Sequence, residues 1–524
     1  MKREELFDRI RQQTLWDVIV IGGGATGLGI ALDASLRGFS TLLLEQHDFT
    51  KGTSSKSTKL VHGGVRYLAQ GDVGLVIEAL RERGLLLQNA PHLVKNQTFI
   101  IPNYQWWRGL FYTIGLTMYD ILAGRHSFGR SYYIGRKEVI RRMPTIQKHN
   151  LKNGVVYHDG QFDDSRLAIS LVRSILNNGG VTINYMKVTG LNKSNGKITG
   201  VRAQDMETGS TFSLQSKLVI NATGVFVNDV IRMDIPDSPD LVRPSQGIHL
   251  VVDREFLPGN DALMIPKTDD GRVLFAVTWH DKVVIGTTDT PIYETSLEPQ
   301  ALDNEIDFVL QNAGKYLEKP IQREDVRSVF AGLRPLAAPK KITEKKTREI
   351  SRNHKIIVSG SGLLTITGGK WTTYRKMAQD VLDKAISLGQ LDKRKCITET
   401  FPIHGFQKNT DRNHPLYVYG ADRTEIEQLV TKYPELSEQL HQRLPSIKAE
   451  VIWAVRFELA RSVEDVLARR LRILLLDARA AIDIAPMVAD LIAKELNYDE
   501  NWKRKQIDDF VQIANQYLLV PYKQ

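Results

Sequence analysis

The strongest constraint on the fold lies near the start of the chain, in "VIVIGGGATGLGIA", residues 18–31. Gly22, Gly24 and Gly27 satisfy G-x-G-x-x-G, a pattern that is weak alone because glycine-rich turns are common. Its surroundings make it specific. "WDVIVI" before it is a short apolar run rich in β-branched residues and predicts a buried parallel strand. "ATGLGIALDASLRG" after it has helical spacing through Ala25, Leu28, Ala31 and Leu32, with Gly38 where a helix stops. "FSTLLLEQ" predicts a second buried strand that ends in Glu45. That acid lies close to the spacing of about 20 residues expected for a partner of ribose hydroxyls. In such a unit glycine lets the backbone approach a pyrophosphate, and the helix N-terminus presents N–H groups to it. Gly22, Gly24, Ala25, Thr26 and Gly27 are therefore expected on the pyrophosphate, and Glu45 on the ribose.

Two later stretches repeat the theme. "LVINATG", residues 218–224, is a buried strand ending in a small-residue turn, Ala222, Thr223 and Gly224. "SGLLTITGGKWTTYRKMAQDVLDK", residues 361–384, is a strand, then Gly368 and Gly369, then a helix start with Lys370 and Thr372. A helix start aimed at a flavin stabilises negative charge on the reduced ring. A dinucleotide site assembled from widely separated segments suits FAD, whereas NAD favours one contiguous unit and a separate catalytic domain. The hydroxyl-rich loop "GTSSKSTKLVHGG" places Ser54, Ser55, Ser57 and Thr58 in the flavin neighbourhood as a group.

The 524 residues are enough for about two to four domains. All 39 glycines lie at or before Gly420, and the tail beyond is rich in Leu, Ala, Arg, Glu and Ile. There Val451, Val455 and Leu459 recur every four residues, and Ser462 with Asp465 resembles a capping box opening the next helix. Residues 390–524 are expected to form a helical C-terminal cap. Residues 1–389 are mixed, with parallel nucleotide-binding strands interleaved among hairpin candidates such as "GIHLVVDR" and "VLFAVTWHDKVVIGTTD". Helices are expected around 72–90, 165–178, 301–317 and 371–388. The fold class is α/β plus α+β: an FAD-binding Rossmann-like domain interleaved with an antiparallel-sheet substrate domain, then an all-helical C-terminal domain.

A single cysteine, Cys396, excludes an internal disulfide, a cysteine metal cluster and a dithiol redox centre. Redox chemistry must then come from a bound cofactor, and no metal site is expected. The opening "MKREELFDRIRQQT" is too charged for a secretory signal and runs straight into the first strand. No segment offers 18 uninterrupted apolar residues. The net charge of +10 suits nucleic acid, an anionic membrane surface or an anionic substrate, and also fits dispersed surface lysines.

Taken together, "IGGGATGLGIALDASLRG", "GTSSKSTKLVHGGVRYL", "NATGVFVND", "GIHLVVD", "VIGTTDT", "AGLRPL", "GGKWTTYRKMA" and "ELARSVEDVLARR" resemble the motif series of the FAD-dependent, quinone-linked glycerol-3-phosphate dehydrogenases. The likeness runs in order from about residue 16 into the helical tail. It implies oxidation of sn-glycerol 3-phosphate to dihydroxyacetone phosphate, with non-covalent FAD and electrons passed to membrane quinone. It places Arg66, Arg334 and Lys370 in the substrate pocket, with Tyr67 beside Arg66. Arginine suits phosphate because its planar fork binds two oxygens at once. His249 sits between apolar neighbours on a strand, where a lone histidine is usually a core residue. The matching histidine of the family faces substrate, so His249 is the expected base or orienter, with Arg334 stabilising alkoxide charge. "GTTDT", 286–290, reads as well as a hairpin end, and Asp289 is left outside the site.

Longer members of the family carry a calcium-binding tail. The loop pattern D-x-[DN]-x-[DN]-G is absent here, so calcium regulation is not expected. Three rivals stay open: a glycerol-3-phosphate oxidase that uses oxygen, an amino-acid oxidase of the same superfamily, and a basic flavoprotein that binds or modifies RNA. No recognised RNA-binding motif is present, so nucleic acid is not an expected partner. A homodimer is compatible with the sequence.

"YQWWRGLFYTIGLTMYDILAGRHSFGR", 104–130, packs aromatics among apolar residues beside arginines. It fits an interfacial segment or a buried helix beneath a loop. A quinone-reducing enzyme must reach a lipid-dissolved acceptor. Peripheral attachment to an anionic membrane surface is therefore expected, with the protein cytoplasmic on the inner face of the cell membrane.

Overall fold

The computed structural model describes residues 3–65, 71–337 and 354–520. Two sheets organise them. The first has a parallel centre in the order Leu364–Thr367, Thr211–Asn221, Trp16–Ile21, Thr41–Leu44, Val181–Ile183. The strands expected at the start of the chain, before Ala222 and before Gly368 are therefore immediate neighbours. Their glycine turns follow the C-terminal ends of parallel strands, so all three open on one edge of the sheet, where ligands of such sheets bind. Strand Lys355–Val358 closes one side antiparallel, and a hairpin of Met186–Ser194 with Lys197–Asp205 extends Thr211–Asn221.

Helices Ala25–Leu36, Asp164–Asn177 and Tyr374–Ser387 cover this sheet and share one apolar core with it. Gly29 permits the close packing of Ala25–Leu36 on Tyr374–Ser387. A Cβ there would lie 2.8 Å from the Tyr374 ring, so any larger residue would push the two helices apart.

The second sheet has ten strands and is almost entirely antiparallel. Its centre pairs Val242–Asp253 with Lys282–Gly286 on one side and Val326–Ala337 on the other. Val94–Asn103, Asn153–Phe162 and Leu60–Val61 extend it toward the nucleotide-binding sheet. Several of these strands carry weak local signals. Val94–Asn103 begins with polar residues, Asn153–Phe162 holds Gly154 and Gly160, and Val326–Ala337 holds Gly332 and Pro335.

After helix Tyr374–Ser387 the described residues contain no further strand. The principal helices of this last part are Arg423–Lys432, Lys448–Phe457, Ala478–Leu496 and Glu500–Asn515. Leu459 does not continue the Val451–Val455 stripe. Helix Lys448–Phe457 ends before it, and Leu459 takes a left-handed φ of 56°. Ser462 and Asp465 do exchange hydrogen bonds as a capping box. The Asp465 N–H donates to the Ser462 hydroxyl at 3.1 Å, and the Ser462 N–H donates to the Asp465 carboxylate at 3.2 Å. They open a π-helical turn, Asp465–Arg470. The helical core also takes in Val251, Val284, Trp279 and Phe330, so these helices pack on the second sheet.

Candidate active site

The first glycine turn is shaped by backbone crowding. Gly22 has φ 109° and sits against the turn after Asn221, where a Cβ would lie 2.7 Å from the Ala222 carbonyl. At Gly27 a Cβ would lie 1.9 Å from the Gly22 carbonyl, so no other residue lets the helix start this close to the strand. The N-cap, Gly24, has no side chain to cap helix Ala25–Leu36, and Thr26 lies in the same first turn. The Ala25 N–H donates to the Ser54 hydroxyl at 3.0 Å. Glu45 accepts from the N–H groups of Gly23 at 2.7 Å and His47 at 2.8 Å. Burial raises the Glu45 pKa, and these two donors offset part of that effect.

The loop after Glu45 lies across the cleft on a buried ionic scaffold. The Ser57 hydroxyl donates to Asp164 at 2.6 Å, Lys59 donates to the Ser55 carbonyl and to Asp164 at 2.7 Å each, and Arg472 reaches both as well. The paired glycines meet this loop from the other side. Gly369 has φ 78°, and Lys370 leads into the turn Trp371–Thr373. The Trp371 indole donates to the Ser54 carbonyl at 2.8 Å, and the Thr372 hydroxyl accepts from the His62 N–H at 3.2 Å. Thr223 packs its hydroxyl on Asn221 at 2.7 Å, and the adjoining Gly224 has φ 62°.

His249 stands at the centre of the second sheet, opposite Gly286 on one strand and Phe330 on the other. Its ring stacks on Phe330 at 4.8 Å, and Nε2 lies 2.9 Å from the Thr58 hydroxyl. Nδ1 has no hydrogen-bond partner among the described residues. Burial, then the charges of Lys59 and Arg334, hold the His249 pKa well below 6.5, so the ring is neutral and one nitrogen keeps a lone pair. Glycine makes room for it: a Cβ at Gly286 would lie 2.3 Å from the imidazole.

Arg334 arises four residues along the strand from Phe330. Its guanidinium donates to the Thr287 hydroxyl and the Thr288 carbonyl at 2.9 Å each and lies 3.4 Å from Asp289. A Cβ at Gly247 would lie 2.2 Å from that guanidinium. Asp289 is thus a neighbour of the site, held in turn by the Ser245 hydroxyl. The contact reaches across strand Val242–Asp253, which lies between Val326–Ala337 and the segment after Lys282–Gly286, and nothing local to "GTTDT" announces it.

Lys59 also escaped the sequence reading. It is fully buried over the rings of Phe330 and Trp279, and burial lowers its pKa to about 8 despite Asp164. Its ammonium and the imidazole approach the Phe330 ring, an arrangement that only the folded sheet creates. Arg66 and Tyr67 lie outside the described residues.

Comparison with known proteins decides the family. The profile of the FAD dependent oxidoreductases matches residues 17–375, and that of the C-terminal domain of alpha-glycerophosphate oxidase matches 354–503. Mitochondrial glycerol-3-phosphate dehydrogenase of Rattus norvegicus is 36% identical over 544 residues, covering 97% of this chain and 74% of the relative. The Arabidopsis thaliana mitochondrial enzyme is 37% identical over 537 residues, covering 94% and 84%.

The chain belongs to the FAD-dependent glycerol-3-phosphate dehydrogenase family.

The structure of the Bacillus halodurans glycerol-3-phosphate dehydrogenase complexed with FAD superimposes with a TM-score of 0.78 at 28% identity, covering 99% of each chain. An L-alpha-glycerophosphate oxidase from Mycoplasma pneumoniae shares the fold at TM-score 0.56 and 14% identity, covering 74% of this chain and 98% of that one. As a member of the glycerol-3-phosphate dehydrogenase family, the protein is an FAD-dependent oxidoreductase. Its own geometry fits that cofactor. Three glycine-containing turns share one sheet edge, an acid closes the second strand, and a hydroxyl-rich loop crosses between them.

Proposed function

We propose that this protein oxidises sn-glycerol 3-phosphate to dihydroxyacetone phosphate and delivers the two electrons to membrane quinone. The observation that carries the reading is the meeting of a neutral, buried His249 with the Arg334 guanidinium beside one glycine-lined edge. Oxidising the secondary alcohol removes a hydride from carbon and a proton from oxygen. Bound FAD supplies the two-electron acceptor for the hydride. The neutral imidazole of His249 takes the hydroxyl proton, and Thr58 fixes the ring through Nε2. Arg334 holds the substrate oxyanion in a fork that Thr287, Thr288 and Asp289 orient. Lys370 and, on the family likeness, Arg66 and Tyr67 complete the grip on the phosphate. Gly22 to Gly27, Glu45, Ser54 to Thr58, Ala222 to Gly224 and Gly369 to Thr372 hold the cofactor. In this scheme residues 1–389 form the oxidoreductase and 390–524 the cap.

Peripheral attachment to the inner face of the cell membrane is part of the proposal. No helix among the described residues is long and apolar enough to cross a bilayer. Helix Arg108–Ala123, however, leaves a run of large apolar side chains in solvent: Leu110, Phe111, Ile114, Met118 and Ile121, with Trp106 and Trp107 just before it. Trp106 is 77% exposed and Ile121 72%. Such a face, flanked by Arg108 and Arg125, suits the interfacial layer of an anionic bilayer. The acceptor is tested by turning the enzyme over with a quinone analogue and, separately, in air. Fast quinone reduction with little peroxide supports the proposal, and stoichiometric peroxide with slow quinone reduction overturns it.

A further inference from the structure

Lys95, Arg254 and Arg412 converge from three separate pieces of chain that contribute nothing to the dinucleotide cleft. Lys95 lies at the start of strand Val94–Asn103, Arg254 follows strand Val242–Asp253, and Arg412 belongs to the loop leading into the C-terminal helices. Arg412 donates to the carbonyls of Pro91 at 2.5 Å and Val94 at 2.6 Å, which seats its guanidinium beside Lys95. Arg254 donates to the Asn260 side-chain oxygen at 3.1 Å. The Asn260 carbonyl accepts from Gln97 at 2.7 Å, two residues along the strand from Lys95 and on the same face.

All three cations are half-buried. None makes an ion pair with a carboxylate among the described residues, and the Lys95 ammonium makes no hydrogen bond among them. Burial, then Arg412 and Arg254, hold the Lys95 pKa down to about 8, and no carboxylate acts to raise it. Burial likewise lowers the Arg412 pKa. Withdrawing like charges together from water is costly without a counter-charge. Elsewhere this chain answers its buried cations: Lys59 has Asp164, Arg166 has Glu458 and Arg470 has Asp48. The half-buried trio has no such carboxylate among the described residues, at the seam between the second sheet and the C-terminal helices.

We propose that Lys95, Arg254 and Arg412 form a binding site for a multivalent anion of the phosphate class, which ties the C-terminal helices to the second sheet. The Lys95 ammonium, with the guanidinium N–H groups that Arg254 and Arg412 do not give to carbonyl and amide oxygens, suits a phosphate or diphosphate group. The group can come from a soluble phosphorylated metabolite or from a phospholipid headgroup. The site is separate from the grip on the substrate phosphate, so its occupancy changes stability at this seam without changing the substrate KM.

The test uses the holoenzyme. Thermal unfolding is followed in inorganic pyrophosphate and in sodium chloride of equal ionic strength, for the wild type, Lys95→Met and Arg254→Gln. Pyrophosphate is expected to raise the wild-type Tm by about 2 °C or more above the chloride control. Both variants are expected to lose that rise and to keep the wild-type KM for glycerol 3-phosphate. Lys95→Met is expected to unfold in chloride no earlier than the wild type, because it removes repulsion. Flotation with phosphatidylglycerol–phosphatidylcholine vesicles separates the sources: weaker flotation of Lys95→Met assigns a headgroup, and unchanged flotation with a lost pyrophosphate rise assigns a soluble anion. The proposal is overturned if the pyrophosphate rise persists undiminished in both variants. It is equally overturned if the wild type shows neither the rise nor a flotation difference from Lys95→Met.

Discussion

The Thr58 hydroxyl lies 2.9 Å from Nε2 of His249, a hydrogen bond that joins the loop crossing the cleft to the centre of the second sheet. Removing that hydroxyl in Thr58→Val forfeits about 1 kcal/mol of orientation, a fall of roughly fivefold in the rate of flavin reduction. Thr58→Ser keeps the bond and is expected to retain most of the rate. His249→Asn removes the base and is expected to cost about 100-fold or more. Stopped-flow reduction of the three variants checks the order. Equal rates for Thr58→Val and His249→Asn would contradict it.

Arg334 is placed by three consecutive partners that follow strand Lys282–Gly286, and only a planar fork reaches them together. Arg334→Lys keeps the charge and loses the fork. About 1.5–3 kcal/mol of charged hydrogen bonding is at stake, so kcat/KM for glycerol 3-phosphate should fall roughly 10- to 100-fold. Steady-state kinetics decide this, and a change of less than about threefold would remove Arg334 from the phosphate or alkoxide grip.

Much of the nucleotide-binding half is legible in the sequence because its determinants are local. Gly22, Gly27 and Gly369 each sit in a short strand–turn–helix run; the crowding at Gly27 and Gly369 comes from within that run, from the Gly22 carbonyl and Met377, whereas Gly22 is crowded by Ala222 from a distant strand end. The strand before Ala222 is equally plain. What could not be read depends on contacts across the chain. Lys59 meets Asp164 more than a hundred positions away, and Arg334 meets Asp289 across the intervening strand Val242–Asp253. Asn153–Phe162 carries two glycines and a polar end, which hides a strand that nevertheless lies between two neighbours in the sheet. Leu459 shows the reverse error: a four-residue apolar rhythm ran past a helix end that a left-handed residue sets.

Two buried histidines make stability depend on pH. Burial, with Arg166 next, takes the His92 pKa from 6.5 to about 3, and neither ring nitrogen has a hydrogen-bond partner among the described residues. Burial likewise takes His249 well below 6.5. Below 6.5 the unfolded chain therefore binds protons that the folded chain refuses, and stability falls as pH falls. One such proton is worth about 1.4 kcal/mol per pH unit. His92→Leu removes one titration and strands no hydrogen-bonding partner of the ring. Its unfolding midpoint in denaturant should decline less steeply than the wild type's between about pH 6 and 4.5. An identical slope would show that His92 is not held neutral.

The exposed face of helix Arg108–Ala123 makes a prediction separable from catalysis. Phe111 and Ile121 are 64% and 72% exposed. Burying each in lipid is worth about 1.5–3 kcal/mol, so Phe111→Asp with Ile121→Asp should weaken partition into anionic vesicles more than about tenfold. Flavin reduction by substrate in detergent-free buffer should be unchanged. Vesicle sedimentation measures the first effect, and undiminished binding would move the membrane contact elsewhere.

The central claim, that His249 and Arg334 serve a glycerol 3-phosphate oxidation beside bound FAD, is tested most directly by anaerobic mixing. Purified holoenzyme is mixed with sn-glycerol 3-phosphate, and the visible flavin absorbance is followed without any other acceptor. The account predicts rapid, complete bleaching with one dihydroxyacetone phosphate formed per flavin, slowed by Arg334→Lys and nearly abolished by His249→Asn. Flavin that keeps its colour with glycerol 3-phosphate, or bleaches equally fast in all three proteins, would contradict it.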